Sequence, residues 1–338
     1  MRWAGRAAFA ALGMAVALST TSCSGAEGGN GTITLYNAQH EDMIKVMVEG
    51  FEKDTGLKVN IRSGSDSELG NQIVQEGAAS PADVFVTENS PAMTLVDNNG
   101  GFSRIDDATL AQVPAQFVPS SKNWTGFAAR ATVLAYNKDR VSPDQLPASL
   151  MDIQDPRWQG KIGVAAAGAD FQAIVSAVLA TKGEAETAKW LAALKSNAKV
   201  YPSNRAVMKA VDTGEIDAGV IYHYYWYKDR AESGADSKNT ELKFFDGKDP
   251  GGFLSVSGAG VIKASKNQEQ AQQLVRYLTG PKGQQALADS KALEYPIASG
   301  VAANSKLKPL SELDPPVIDV ATLNGPKVVE LMQAAGLL

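Results

Sequence analysis

Ile221-Tyr222-His223-Tyr224-Tyr225-Trp226-Tyr227 is the stretch around which the chain is organised. It gathers four of the nine tyrosines, one of five tryptophans and one of two histidines, so the polar aromatic chemistry of the protein is concentrated here. Aromatic residues favour half-buried strand positions. Four phenols, an imidazole and an indole N–H, however, need partners if they are buried. Neighbouring strand side chains point to opposite faces, so Tyr224 and Tyr225 converge only at a bend. Asp217 to Ile221 reads as a strand and Lys228 to Glu232 as helix. The junction of a strand end and a helix start is where α/β proteins place ligands.

Working outward, Thr32 to Tyr36 alternates as a strand, and Glu41 and Asp42 open a helix with the stripe Ile44, Met47, Val48 and Phe51, stopped by Gly56. Leu57 to Ile61, the helix Ser67 to Ala78 and the strand Pro81 to Glu88 continue the rhythm, which predicts a parallel sheet with helices on its faces. Trp124 to Asn137 reads as a long extended crossing. A second series follows: strand Lys161 to Val164, helices Phe171 to Thr181, Glu184 to Ser196 and Asn204 to Thr213, then the aromatic stretch. Phe253 to Ile262 reads as a return crossing, with helices at Asn267 to Thr279, Pro281 to Asp289 and Pro326 to Ala335. Two βα series joined by two crossings describe two lobes around a cleft, as in hinge-closing solute receptors.

The length of 338 residues favours two lobes, since single cores stop growing at roughly 250 to 300 residues. Hydrophobic residues at 44% and charged residues at 20% fit a globular chain. A net charge of −5 without a basic run argues against nucleic acid. Arg2 and Arg6 followed by apolar Ala7 to Leu18 read as a signal segment, too short to span a membrane. The only cysteine, Cys23, precedes a Gly/Ser-rich tether and resembles the lipidated first residue of a bacterial lipoprotein, although Thr20 replaces the usual leucine. An ordinary secretory signal is the alternative. Either way an exported chain is expected, and with no second cysteine it forms no intrachain disulfide.

His40, Glu88, Tyr224 and Tyr225 fall at loop positions after strands. Phenolate and carboxylate are hard donors suited to a small, highly charged cation, and imidazole tolerates iron. Two phenolates, one carboxylate and a neutral imidazole balance a ferric ion. Thiol ligands and zinc spacings are missing.

At these residues the sequence resembles a known family, the ferric-ion-binding proteins of bacterial iron(III) ABC transporters. The resemblance rests on Tyr36-Asn-Ala-Gln-His40, Pro81-Ala-Asp-Val-Phe85 followed by Thr87-Glu88, Trp158 to Gly163, Tyr224 to Tyr227, Asp249-Pro-Gly251, Ala264 to Gln268 and Glu294-Tyr-Pro296. It implies an α/β, two-lobed periplasmic-binding-protein fold of type II, transferrin-like, with a ligand cleft between the lobes and extended hinge strands. It implies metal ligands His40 and Glu88 from one lobe and Tyr224 and Tyr225 from the other, Fe(3+) as cargo, and delivery to an inner-membrane ABC permease with its ATPase. The expected organisation is a signal peptide at 1–22, a lipid-anchored tether at 23–31, one lobe from 32–130 plus 255–305 and the other from 131–254 plus 306–338. A membrane-tethered monomer and no enzymatic activity are expected.

The family's synergistic anion is where the sequence departs. Phosphate-using relatives carry a Ser-Gly-Ala turn, a Gln after the ligand Glu and Asn before the paired tyrosines. Here these positions resemble Ala167-Gly168-Ala169, Asn89 and Tyr222-His223, with Asn204 retained. Carbonate or phosphate held by Arg130, Gly168, Ala169 and Asn204 is the expectation, with Tyr222 and His223 open as further ligands or supporting residues. Bland roles exist for each: a capping His40 or Glu88, an aromatic patch at Tyr224 and Tyr225, a surface ion pair at Arg130. A receptor stacking an organic solute on Tyr224, Tyr225 and Trp226 is the alternative within binding proteins. A hydrolase using Glu88 with His40 is the alternative beyond them, without a nucleophile elbow or metalloprotease motif to support it.

Overall fold

The strand β1 (Thr32–Asn37) buries Ile33 and Leu35 against helix α1 (Glu41–Thr55), whose inward stripe is Met43, Ile44, Met47, Val48 and Phe51. Gly56 ends α1 at φ 75°, a left-handed conformation that costs glycine little, and its amide caps the Glu52 carbonyl. The protein is described by a computed structural model over residues 31–338; the expected signal segment and Cys23 lie outside the described residues. Among the described residues no helix is long and apolar enough to cross a membrane.

Strands β2 (Lys58–Ser63) and β3 (Val84–Val86) flank β1 in parallel, linked by α2 (Asp66–Glu76), which begins in a Ser65/Glu68 capping box. After α3 (Ser90–Asn98) and the short α4 (Asp107–Leu110) comes β4 (Trp124–Asn137), buried along all 14 residues. The second series is β5 (Ile162–Val164), α5 (Ala169–Asn197), β6 (Ala198–Val200), α6 (Asn204–Asp212), β7 (Ala218–Tyr222), α7 (His223–Glu232) and β8 (Thr240–Lys243). β9 (Leu254–Val261), α8 (Gln268–Thr279), α9 (Pro281–Asp289), β10 (Tyr295–Pro296) and α10 (Gly325–Ala334) complete the chain.

The sheet runs β2-β1-β3-β9-β4-β7-β5-β6, with β10 and β8 also paired to β4. It is mixed, where a parallel sheet was expected: β9 lies antiparallel to both β3 and β4, and β4 antiparallel to β7. Returning crossings reverse direction, and alternation within a strand carries no information about that. β4 is the member shared by both lobes: residues up to Ala131 pair with β9, and Thr132 to Tyr136 pair with β7. One apolar core joins β1, β3 and β9 to α1, α8 and α9; another joins β5 and β7 to α5 and α10.

The two expected helices between Phe171 and Ser196 are both present within α5, separated at Gly183, whose φ 79° and ψ 172° are not helical. The strands β6, β8 and β10, of two to four residues, are too short to show alternation in sequence. Trp124, Trp158 and Trp190 are core residues.

β7 feeds the aromatic stretch, and Gly219 within it lies against α6: a Cβ there would stand 2.2 Å from Val207 Cγ1. Gly219→Val should therefore destabilise the protein by about 1–3 kcal/mol through overpacking, read as a lower urea midpoint with unchanged slope.

Candidate metal centre

The loop after β1 is fixed by its own amides. Asn37 Oδ1 accepts from the Gln39 N–H at 3.0 Å, and Gln39 Oε1 accepts from the His40 N–H at 2.7 Å. Gln39 Nε2 donates to Ser257 Oγ at 2.7 Å, tying the loop to β9. His40 precedes α1 without capping it through its side chain. Its Nδ1 lies 3.0 Å from Glu294 Oε1, which leaves Nε2 to face the cleft. Burial alone would lower the His40 pKa, but the hydrogen bond and charge of Glu294, with Glu88 beyond, leave it raised. Burial would push the Glu294 carboxyl up, yet the charge of Arg130 and the His40 contact hold it below its ordinary value, so it stays ionised. This is the carboxylate–histidine arrangement that orients imidazole ligands in metal sites.

Glu88 leaves β3 just before α3. Its amide donates to Asp66 Oδ1 at 2.9 Å, and its carbonyl accepts from Ser257 Oγ at 3.3 Å. Its Oε1 lies 3.0 Å from Arg130 Nη1, 3.1 Å from the Tyr224 hydroxyl and 3.7 Å from His40 Nε2. Arg130 is fully buried on β4, above the Tyr222 ring. Its Nη1 is close to Glu88 without the alignment of a hydrogen bond. Burial, with the charge of Asp170, outweighs that guanidinium and raises the Glu88 pKa to about 8.

Tyr224 and Tyr225 converge through the first turn of α7, which starts at His223 rather than near Lys228. Their rings lie 4.1 Å apart. The Tyr224 hydroxyl donates to Glu88 and lies 3.4 Å from His40 Nε2. The Tyr225 hydroxyl donates to Asp170 Oδ2 at 3.0 Å. Burial, then the nearby carboxylates, raises both phenol pKa values. Both are therefore protonated at neutral pH until something displaces the protons.

Thus His40, Glu88, Tyr224 and Arg130 meet directly, and Tyr225 and Asn204 meet at Asp170, to which Asn204 Nδ2 donates at 2.7 Å. Tyr222 points its hydroxyl to Asn89 and the Asp170 carbonyl. His223 does not join them: its Nδ1 accepts from the Ala131 amide, and its ring stacks on Tyr295 at 4.7 Å. Gly168 precedes α5 and its amide donates to the Ala165 carbonyl; Ala169 opens the helix. Trp226, singled out as a stacking platform for an organic solute, donates instead to Thr240 and packs under Arg230.

Asp66, Asp170 and Glu294 escaped the sequence reasoning as site residues. Asp170 carries the same signal that marked Glu88, a carboxylate just after a strand at the start of a helix, and Glu294 opens the Glu-Tyr-Pro block. Among the described residues no group of three or more His, Cys, Asp and Glu side chains gathers as a metal site; beside His40 and Glu88 stand the phenols of Tyr224 and Tyr225.

Two lobes on shared strands, with polar side chains meeting between them, define a solute-capturing receptor. Residues 79–319 match the family described as bacterial extracellular solute-binding protein, and the chain belongs to that family. It is 52% identical over 334 residues to the Fe(3+)-binding periplasmic protein of Serratia marcescens, covering 99% of this chain and 98% of the other. It is 33% identical over 308 residues to the major ferric iron-binding protein of Neisseria gonorrhoeae, covering 90% and 93%. The crystal structure of iron-bound HitA from Pseudomonas aeruginosa matches with TM-score 0.84 at 39% identity, covering 90% and 99%.

In the metal-free protein the Glu88 carboxyl should titrate near pH 8. The folded pKa lies above that of an unfolded glutamate, so this group lowers stability as pH rises from about 4.5 through 8. Glu88→Gln should remove that loss, stabilising the metal-free protein at pH 9 and leaving it unchanged at pH 4, measured by urea unfolding.

Proposed function

We propose that the protein is an extracytoplasmic Fe(III) receptor that captures ferric ion between its lobes and delivers it to an ABC permease for iron uptake. The observation that carries this reading is the meeting of Tyr224 with His40 and Glu88 across the cleft, beside Tyr225. The relatives named for ferric iron support it. In this reading the lobes are 32–130 plus 255–305 and 131–254 plus 306–338, divided where β4 exchanges β9 for β7. Cys23 anchors the exported monomer to the membrane. No bond is broken; the metal binds the closed state better than the open one and so shifts the equilibrium toward it.

Hard oxygen donors suit a trivalent cation, and the single imidazole suits iron. Glu294 keeps the proton on Nδ1 of His40, so that Nε2 is the free donor. Binding displaces the protons of Tyr224 and Tyr225, and of Glu88 below about pH 8. Affinity therefore falls as pH falls.

For the remaining coordination, we infer that Asp170 stands in for an exogenous carbonate or phosphate. Of the donors expected to hold such an anion, Asn204 is engaged with Asp170 and the Gly168 amide with Ala165, while Arg130 faces Glu88 at 3.0 Å with its Nε and Nη1 making no hydrogen bond. Asp170 is itself 3.0 Å from the Tyr225 hydroxyl.

Adding ferric salt to the metal-free protein should produce a visible phenolate-to-iron absorption band, weaker in Tyr224→Phe or Tyr225→Phe and lost in the double variant. No band in the unaltered protein would remove the iron assignment. Titration in phosphate- and carbonate-free buffer should give the same band and affinity, whereas Asp170→Asn should require added carbonate. A requirement for the anion in the unaltered protein would restore carbonate or phosphate as the missing ligand.

A further inference from the structure

Asn89 follows Glu88 and is 2% exposed. Its Nδ2 donates to Asp66 Oδ2 at 3.0 Å and to Asp170 Oδ1 at 3.2 Å. Its Oδ1 accepts from Ser255 Oγ at 2.8 Å and from the Tyr222 hydroxyl at 3.3 Å. These four bonds use every donor and acceptor position of a side-chain amide. Asp66 at the start of α2 and Ser255 on β9 lie on its own side of the cleft; Asp170 on α5 and Tyr222 at the end of β7 lie on the other.

Closing the cleft brings Asp66 toward Asp170, and like charges in a poorly solvated space repel. One N–H of Asn89 goes to each of the facing aspartates, so the amide sits where the repulsion would be greatest. Another polar contact across the cleft, Lys228 Nζ to Asp42 at 3.6 Å, lies on a rim where Asp42 is 60% exposed. Exposed pairs of that kind contribute little. Asn89 and Tyr222 bond to each other across the cleft.

We propose that Asn89 is the positioning residue that closes the cleft over its cargo, holding Glu88 and Asp170 in register without coordinating the metal. The proposal rests on the iron reading above and adds to it the residue that sets the rate of release. Because all four of its bonding positions are occupied by protein, Asn89 acts through the separation of the lobes. Removing it leaves the donor set intact and loosens the closure.

The test is stopped-flow loss of iron to excess EDTA, with the visible spectrum and the X-ray scattering radius of the metal-free protein measured on the same samples. Asn89→Ala should release iron roughly tenfold to a hundredfold faster, the range expected for hydrogen bonds to charged groups. Its band maximum should be unchanged and its metal-free radius of gyration larger. Asn89→Asp, which adds a carboxylate beside Asp66 and Asp170, should release faster still. Release at the unaltered rate would overturn the proposal, and so would faster release with a displaced band, which would mean that the coordination itself had changed. Should Asn89→Ala fail to fold, Tyr222→Phe carries the test: it removes one cross-cleft donor, and release at the unaltered rate would overturn the proposal. If the unaltered protein takes up no iron, the iron reading fails; the scattering comparison still decides whether Asn89 favours closure.

Discussion

One buried guanidinium, Arg130, faces Glu88, Asp170 and Glu294, and its charge reaches Asp66 as well. This imbalance governs the rest of the site. A single cation cannot neutralise four carboxylates taken out of water, so part of the acid must hold protons or another cation must enter. Burial raises Asp66 to about pKa 6 and Glu88 to about 8, whereas Glu294, between Arg130 and His40, stays ionised. The empty cleft is thus stabilised by protons on particular oxygens. A small, highly charged cation replaces several of them at once, and a weakly charged solute offers no such exchange.

The scaffold serves that electrostatic arrangement through alternation. On β9, Ser255 and Ser257 turn into the site, where they meet Asn89, Gln39 and the Glu88 carbonyl. Leu254 and Val256 turn to the opposite face and pack with Phe117 and Val320. The period of two that places a strand in a core thereby gives the same strand one polar face and one apolar face. Candidate ligands following β1, β3, β5 and β7 converge because the strands end on a common edge of the cleft, the usual place for a ligand in open α/β sheets.

Much of this was legible in the sequence. β4 was readable to the residue, and α9 likewise, because a long run of mainly apolar residues and Pro at a helix start are strong local signals. His40, Glu88, Tyr224 and Tyr225 stood out as polar residues at strand ends. The antiparallel strands were not readable, since direction is set by the path of the chain between elements. Asp170 and Glu294 were missed for a related reason: each is a carboxylate whose role exists only through a partner distant in sequence, Tyr225 or His40. His223 shows the converse, for the sequence leaves it open as a ligand or a supporting residue while the helical turn directs its ring to Tyr295.

That orientation of His223 has a mechanical meaning. Its Nδ1 takes the amide of Ala131, the last β4 residue paired with β9 before the strand passes to β7. A pull on Tyr224 therefore reaches the fulcrum of the two lobes through one adjoining residue. Burial holds the His223 imidazole near pKa 3, so it remains a neutral acceptor while Glu88 and the phenols take up protons. Acid can loosen the grip on the cargo and leave the lever still fastened to its pivot.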